Sequence, residues 1–365
     1  MATVLIVIAI LVFHIVAHEF GHFLTAKLFK VKVEEFGIGY PPRALTFGKW
    51  GGTEYTLNWL PFGGFVRLFG DSVGESDVQA RGSLHAAKRH VQALILIAGV
   101  AMNALAAWLL FTSAFMIGTW QPVATPDGEQ TRVFITAVVA GSPAQAAGLA
   151  AGDELLSVSD AKGNSPHLPL SPDTIVAFVS AHAGKVLTVT YVRGGETSQA
   201  NMTPAQGVLA SEAGQPALGV ALVLAAQKSE GFIQAARDGA YETVATLGSV
   251  LSGLWQIAAG SVRGAPNLTD VAGPVGIVSY VGQAMRSGTG ALLALAASIS
   301  VNLVVINLIP IPALDGGRLL MLGIEALRGR KTRAVTVMLV NAIGITLIIV
   351  FMAAVTYHDI ARLLH

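Results

Sequence analysis

The sequence predicts a polytopic α-helical membrane protein of about four transmembrane helices, with a membrane-associated β-hairpin and an extracytoplasmic β-rich domain. Three observations carry that prediction. Hydrophobic residues make up 53% of the 365 and charged residues only 12%, whereas a soluble domain carries about 25% charged residues; mean hydropathy is +0.62. Four apolar stretches are long enough to cross a bilayer, which takes about 20 helical residues. One long connection between them alternates apolar and polar residues between turn signals, the pattern of a folded unit rather than a loop.

The opening stretch, Thr3–Ala26, lacks the basic start and the cleavage pattern of a signal peptide, so it reads as a retained span. After it, "GGTEYTLNWLPFGGFVRLFG" alternates Tyr55, Leu57 and Trp59, then turns at Pro61–Gly64 into Phe65, Val66, Arg67 and Leu68. That predicts a hairpin over about 51–69. Because it follows directly on a span, the hairpin is expected to dip against the bilayer or into the protein. Its free edge offers Tyr55, Leu57, Phe65, Val66 and Arg67 to an extended peptide. A second span, Ala93–Gly118, completes a first membrane half, residues 1–118.

In the long connection, "RVFITAVV" and "KVLTVTYVRGG" read as strands, and "AQAAGL" as a short helix after a turn at Gly141-Ser142-Pro143. The β-rich domain is placed at 122–226. Residues 229–290 follow as amphipathic linker helices, with Val244, Leu247, Leu251, Leu254 and Ala258 at helical spacing. Such a helix suits the membrane surface or the flank of the β-rich domain. The second membrane half, 291–365, holds the spans Ala291–Pro312 and Ala334–Tyr357.

Basic residues set the orientation. The first connection holds nine Lys and Arg in 66 residues and the third holds five, while the long second connection holds eight in 172. Both termini and the β-rich domain are therefore expected outside, and the first and third connections in the cytoplasm. The 23 Lys and Arg against 22 Asp and Glu leave no basic excess, which argues against a nucleic-acid partner. There is no cysteine. Disulfides, thiolate metal sites and cysteine nucleophiles are excluded together, and any metal site must be built from His, Asp and Glu.

Inside the first span stands "HEFGH". On a helix His18 and His22 lie one turn apart on the same face, and two such imidazoles can share a tetrahedral zinc while the neighbouring Glu19 takes a proton from water. Charged groups in a bilayer are costly and cluster where they work, so chance is a poor explanation. His14 extends the stripe, but it lies about 12 Å of helix rise from His22, so a packing or supporting role is expected. The remaining ligand must reach the same depth. The third span enters from the same side as the first and breaks at Pro310 and Pro312, and Asp315 follows three residues later.

"GSPAQAAGLAAGDELLSV" (Gly141–Val158) resembles the PDZ domains attached to bacterial proteases, with the likeness extending over Val133–Leu224. "HEFGH", "AGVAMN" (Ala98–Asn103), "AGPVGI" (Ala272–Ile277) and "NLVVINLIPIPALDGG" (Asn302–Gly317) are similar, in order and spacing, to the site-2 protease family of intramembrane zinc metalloproteases. The resemblance implies one Zn2+ per chain on His18, His22 and Asp315, with Glu19 as the catalytic acid/base. It implies that Asn302 and Asn307 help hold substrate. It also implies a bacterial cytoplasmic (inner) membrane, a PDZ domain that binds a peptide or a trimmed substrate end, and single-span substrates such as anti-sigma factors. Two departures stand out: a single PDZ unit where such proteins often carry two, and Arg318 after "LDGG" where a histidine is frequent. Two other readings are a metal transporter and a silent PDZ scaffold. The first leaves the outer domain and hairpin without a purpose, and the second has no use for polar groups in lipid.

Overall fold

The computed structural model describes residues 2–70, 80–125, 131–208, 215–262 and 273–364. The chain runs α1 (Ala2–Leu28), β1 (Val33–Trp50), β2 (Thr53–Leu68), α2 (Arg89–Ile117), β3 (Thr119–Pro122), β4 (Thr131–Val138), α3 (Pro143–Ala146), β5 (Glu154–Asp160) and α4 (Pro172–Ala181). It continues through β6 (Leu187–Arg193), β7 (Glu196–Met202), β8 (Val220–Lys228), α5 (Phe232–Val262), α6 (Pro274–Ser287), α7 (Thr289–Leu308), α8 (Asp315–Arg328) and α9 (Ala334–Leu364). Two compact units result: Met1–Ala114 with Phe232–Met285 and Leu292–His365, and Phe115–Gly231 with Arg286–Ala291.

The first unit contains four helices long and apolar enough to cross a membrane, namely α1, α2, α7 and the Val335–Tyr357 part of α9. The buried residues of α1, Val7, His14, Gly21, His22 and Ala26, recur mostly at seven- and four-residue steps and so form one stripe. Glycines bring α2 close to that stripe. A Cβ on Gly21 would strike the Ala98 carbonyl, and one on Gly99 would strike the His18 and His22 rings, so small residues carry the helix contact as is common between spans. The third span ends at Leu308 rather than Pro312, because Pro310 and Pro312 cannot continue the helical ladder. The expected connection after it contains the helix α8. The linker region contains α5 and α6, and α5 packs its first turns on α2: Trp108 Nε1 donates to the Ala236 carbonyl at 2.8 Å. Ala272 of "AGPVGI" lies outside the described residues.

The expected hairpin is only part of a larger sheet. β1 and β2 have 18 and 16 residues, well beyond an ordinary strand. Residues 35–38 pair on both flanks, with Glu54–Leu57 and with Gly64–Arg67, while 43–50 pair with 53–58. The segments therefore lie in the order 43–50, 53–58, 33–38, 64–68. The tight turn falls at Gly51-Gly52, both at positive φ (56° and 80°), as a two-residue hairpin loop requires. It does not fall at Pro61–Gly64. The two halves of the expected hairpin flank 33–38 instead of each other, and the missing strand was hidden because Gly37, Gly39, Pro41 and Pro42 interrupt its alternation. Buried Glu35 ties the segments together, accepting from Arg43, Arg67 and Thr56 at 2.8–2.9 Å.

The second unit is a six-stranded sheet in the order β3-β8-β4-β5-β6-β7. Its inward residues Val133, Ile135, Leu155, Val158, Leu187, Val189 and Leu224 form one core with Ile175 and Val179 of α4. A capping box at Ser171 and Thr174, followed by Pro172, starts α4. This second helix is absent from the sequence reading, although "SPDT" was its signal.

Candidate metal centre

The centre is built on α1, which holds His18 and His22 with their Nε2 atoms 3.1 Å apart and their rings nearly perpendicular. Asp315 arrives from the far end of the chain through a tight reversal. Between α7 and α8 the chain turns with Ala313 at φ 76°. Gly316 and Gly317 then fold back onto it so closely that a Cβ on either would strike the carbonyls of Leu308, Ile309 or Ile311. The two glycines of "LDGG" thus let Asp315 open α8, where the positive end of the helix dipole favours a carboxylate.

Asp315 Oδ2 lies 2.9 Å from His18 Nε2 and 3.3 Å from His22 Nε2. Neither contact has the direction of a hydrogen bond, so Oδ2 is a buried oxygen without a donor. On the far side of each ring, α2 supplies a partner: His22 Nδ1 faces the Ile95 carbonyl at 2.7 Å, and His18 Nδ1 faces the Asn103 amide at 3.4 Å. A carbonyl needs an N–H, so His22 carries its proton on Nδ1 and turns a lone pair on Nε2 inward.

These residues fit a zinc ion. The donor-less Asp315 oxygen and the inward lone pair of His22 repel one another unless a cation lies among them. With bonds of about 2.0–2.1 Å, tetrahedral ligand atoms stand about 3.3 Å apart, close to the three separations found. Among the described residues, His18, His22 and Asp315 are the one group of three His, Asp or Glu side chains arranged in this way.

Glu19 sits beside the cluster. The backbone N–H of Val66 donates to its carboxylate, and a Cβ added at Gly64 would stand 3.6 Å from its Cγ. The outer segment 64–68 of the sheet therefore borders the centre. Phe65, Val66 and Arg67 lie on that edge, with Arg67 paired to Glu34 and Glu35. Tyr55 and Leu57 do not: their segment is paired on both flanks and offers no free edge, which corrects the sequence expectation. Asn302 is exposed and its amide donates to the Ser298 carbonyl of its own helix, while Asn307 is half-buried without a hydrogen bond among the described residues. His14 is fully buried and turned away, with Nδ1 2.6 Å from the Ile10 carbonyl.

Sequence reasoning missed the supporting shell. Asn103 is fully buried, its carbonyl accepts from Ser300 of α7 at 2.8 Å, and its side-chain Oδ1 has no partner. Its signal was a lone amide in an apolar span.

Residues 6–351 match peptidase family M50. The chain is 34% identical over 359 residues to a putative zinc metalloprotease of Clostridium perfringens, covering 97% of this chain and 98% of that one. It is 31% identical over 363 residues to the membrane metalloprotease ARASP, chloroplastic, of Arabidopsis thaliana, covering 95% and 78%. It is 27% identical over 424 residues to the zinc metalloprotease RasP of Geobacillus kaustophilus, covering 94% of each.

Proposed function

The chain belongs to peptidase family M50, the site-2 protease family of zinc metalloproteases, and from that premise we propose that it hydrolyses a peptide bond inside the transmembrane segment of single-span membrane proteins. Anti-sigma factors are the substrate class we assign, with release of their cytoplasmic part as the outcome. The observation that carries the reading is the donor-less Asp315 oxygen facing two imidazole nitrogens beside Glu19.

His18, His22 and Asp315 hold one zinc ion per chain. When bound, zinc polarises the scissile carbonyl and makes water acidic enough to lose a proton near neutral pH. Glu19 accepts that proton and passes it to the departing amine, and the Val66 N–H keeps its carboxylate aimed. A transmembrane helix hides its own peptide bonds, so the substrate must unwind before attack. The edge at Phe65, Val66 and Arg67 pairs with the extended stretch. Asn307 offers a free amide to the unwound backbone, and Asn302 joins only by leaving Ser298.

The membrane is the bacterial cytoplasmic one, with both termini and the β-rich unit outside. That unit acts as a PDZ domain that binds a peptide or a newly trimmed substrate end, and so admits only substrates already cut on their outer side.

Replacing Glu19 by Gln in the reconstituted full chain should lower cleavage of a single-span substrate by about 10²–10⁴-fold while zinc content stays at one per chain. Cleavage that persists at the unmodified rate would overturn the role of Glu19, and a zinc content of two would overturn the single-site reading.

A further inference from the structure

A pocket of about 620 Å³ opens where α1 ends, and the lysines that line it include Lys27, Lys30, Lys32 and Lys49. Its two acids already have arginine partners, one of which, Arg67, also lines the pocket. Glu34 pairs with Arg67 at 3.2 Å, and Glu54, although it stands opposite Lys49 in the hairpin, pairs with Arg43 at 3.0 Å. Of the four lysines, Lys27 donates to the Gly51 carbonyl and Lys32 lies over the Phe69 ring. Lys30 and Lys49 have no hydrogen-bond or ion-pair partner among the described residues. The pocket thus carries five cations, Arg67 among them, against two acids, with unpaired Lys30 on the helix side and unpaired Lys49 on the sheet side.

The backbone adds an independent observation. Val31 N–H reaches back to the Ala26 carbonyl at 2.9 Å to close α1, which leaves residue 30 in the left-handed region at φ 59°. Glycine is the unstrained choice at that position of a helix end. A lysine there keeps a charge at the expense of backbone ease. The helix's own negative end accounts for one cation, but not for three more around a cavity.

The surroundings name the anion's source. Leu28, Phe29 and Trp50, the chain neighbours of the lining residues, are 70%, 45% and 60% exposed. A soluble anion site has no use for an apolar rim, whereas aromatic and apolar residues beside basic ones mark the boundary between lipid tails and headgroups. We propose that this pocket binds the phosphate headgroup of an anionic membrane lipid, held between Lys30 and Lys49. The inference rests on the reading of α1 as a membrane span. A headgroup there ties the end of α1 to the β1–β2 turn, and therefore steadies the sheet whose outer segment holds Glu19.

The test uses the full chain, stripped of lipid in a neutral detergent and titrated with phosphatidylglycerol, phosphatidylcholine or inorganic phosphate, with bound lipid counted by native mass spectrometry. Phosphatidylglycerol should be retained and phosphatidylcholine should not. Lys30→Gly and Lys49→Gln should each weaken retention about fivefold, the worth of one lysine near an anionic surface. Lys30→Gly should melt no lower than the unmodified chain without lipid, because it removes the charge while easing the backbone. Equal retention of both lipids, unchanged retention in both variants, or displacement of phosphatidylglycerol by equimolar inorganic phosphate would each overturn the proposal. Binding is read without substrate, so its failure leaves the protease reading standing, and loss of proteolysis leaves this one standing.

Discussion

Each unit of the molecule buries an aspartate, and the two are treated in opposite ways. In the β-rich unit Asp153 is 1% exposed, and both its oxygens are occupied: Arg193 donates to each at 2.7 Å and the Ala150 N–H donates to Oδ2 at 2.9 Å. In the membrane unit Asp315 is also buried, at 9% exposed, yet its Oδ2 meets two ring nitrogens and no donor. A buried charge with a full set of donors serves the fold, since burial without partners is costly. A buried charge left open has been kept for something that is not part of the chain.

The comparison breaks first, and hardest, at Asp315. Asp315→Asn keeps the size of the side chain and removes its charge. Zinc retention should fall well beyond the about 10–100-fold typical of losing a supporting partner, and proteolysis should fall with it. Metal analysis after dialysis against a chelator measures the first effect. Melting should change little or rise in the metal-free chain, because the open oxygen no longer needs a cation. A large loss of metal-free stability would instead make Asp315 a structural residue like Asp153.

How much of this was legible in the sequence follows from how local each feature is. "HEFGH" reads directly, because helical spacing alone sets His18 and His22 on one face. Asp315 required an argument from depth, and the structure adds what depth could not supply: the reversal at Ala313 and the space left by Gly316 and Gly317. The four apolar helices were plain from composition. The sheet was half-legible. Its second strand alternates, while its first is broken by glycine and proline, so the pairing of 33–38 between 53–58 and 64–68 is a long-range choice that no local pattern announces. Asn103 was visible only as an amide in an apolar run, because its role depends on which ring nitrogen lies 3.4 Å away.

Asn103 sharpens the comparison on the membrane side. A metal-bound imidazole needs an acceptor on its other nitrogen, and a half-turn of the Asn103 amide presents Oδ1, the buried atom without a partner, to His18 Nδ1. Asn103→Leu keeps the volume and removes the acceptor. Zinc affinity should drop about 10–100-fold, with the cobalt-substituted chain showing an altered visible spectrum. Unchanged affinity would mean that the packing of α2, through Gly99, orients His18 unaided.

The smallest effect belongs to the satisfied aspartate. Asp153→Asn leaves Arg193 without its charged partner, but Arg193 is half-exposed and keeps its bond to the Gly148 carbonyl and its stacking on Tyr191. Water takes over part of what is lost, so melting of the β-rich unit should register about 1.5 kcal/mol, the lower end for a hydrogen bond to a charged group. Zinc content should not move at all, since none of the donors around Asp153 belongs to α1, α2 or α8. A fall in metal content would show that the folding of the β-rich unit reaches the centre, and that the two buried carboxylates are parts of one cooperative structure.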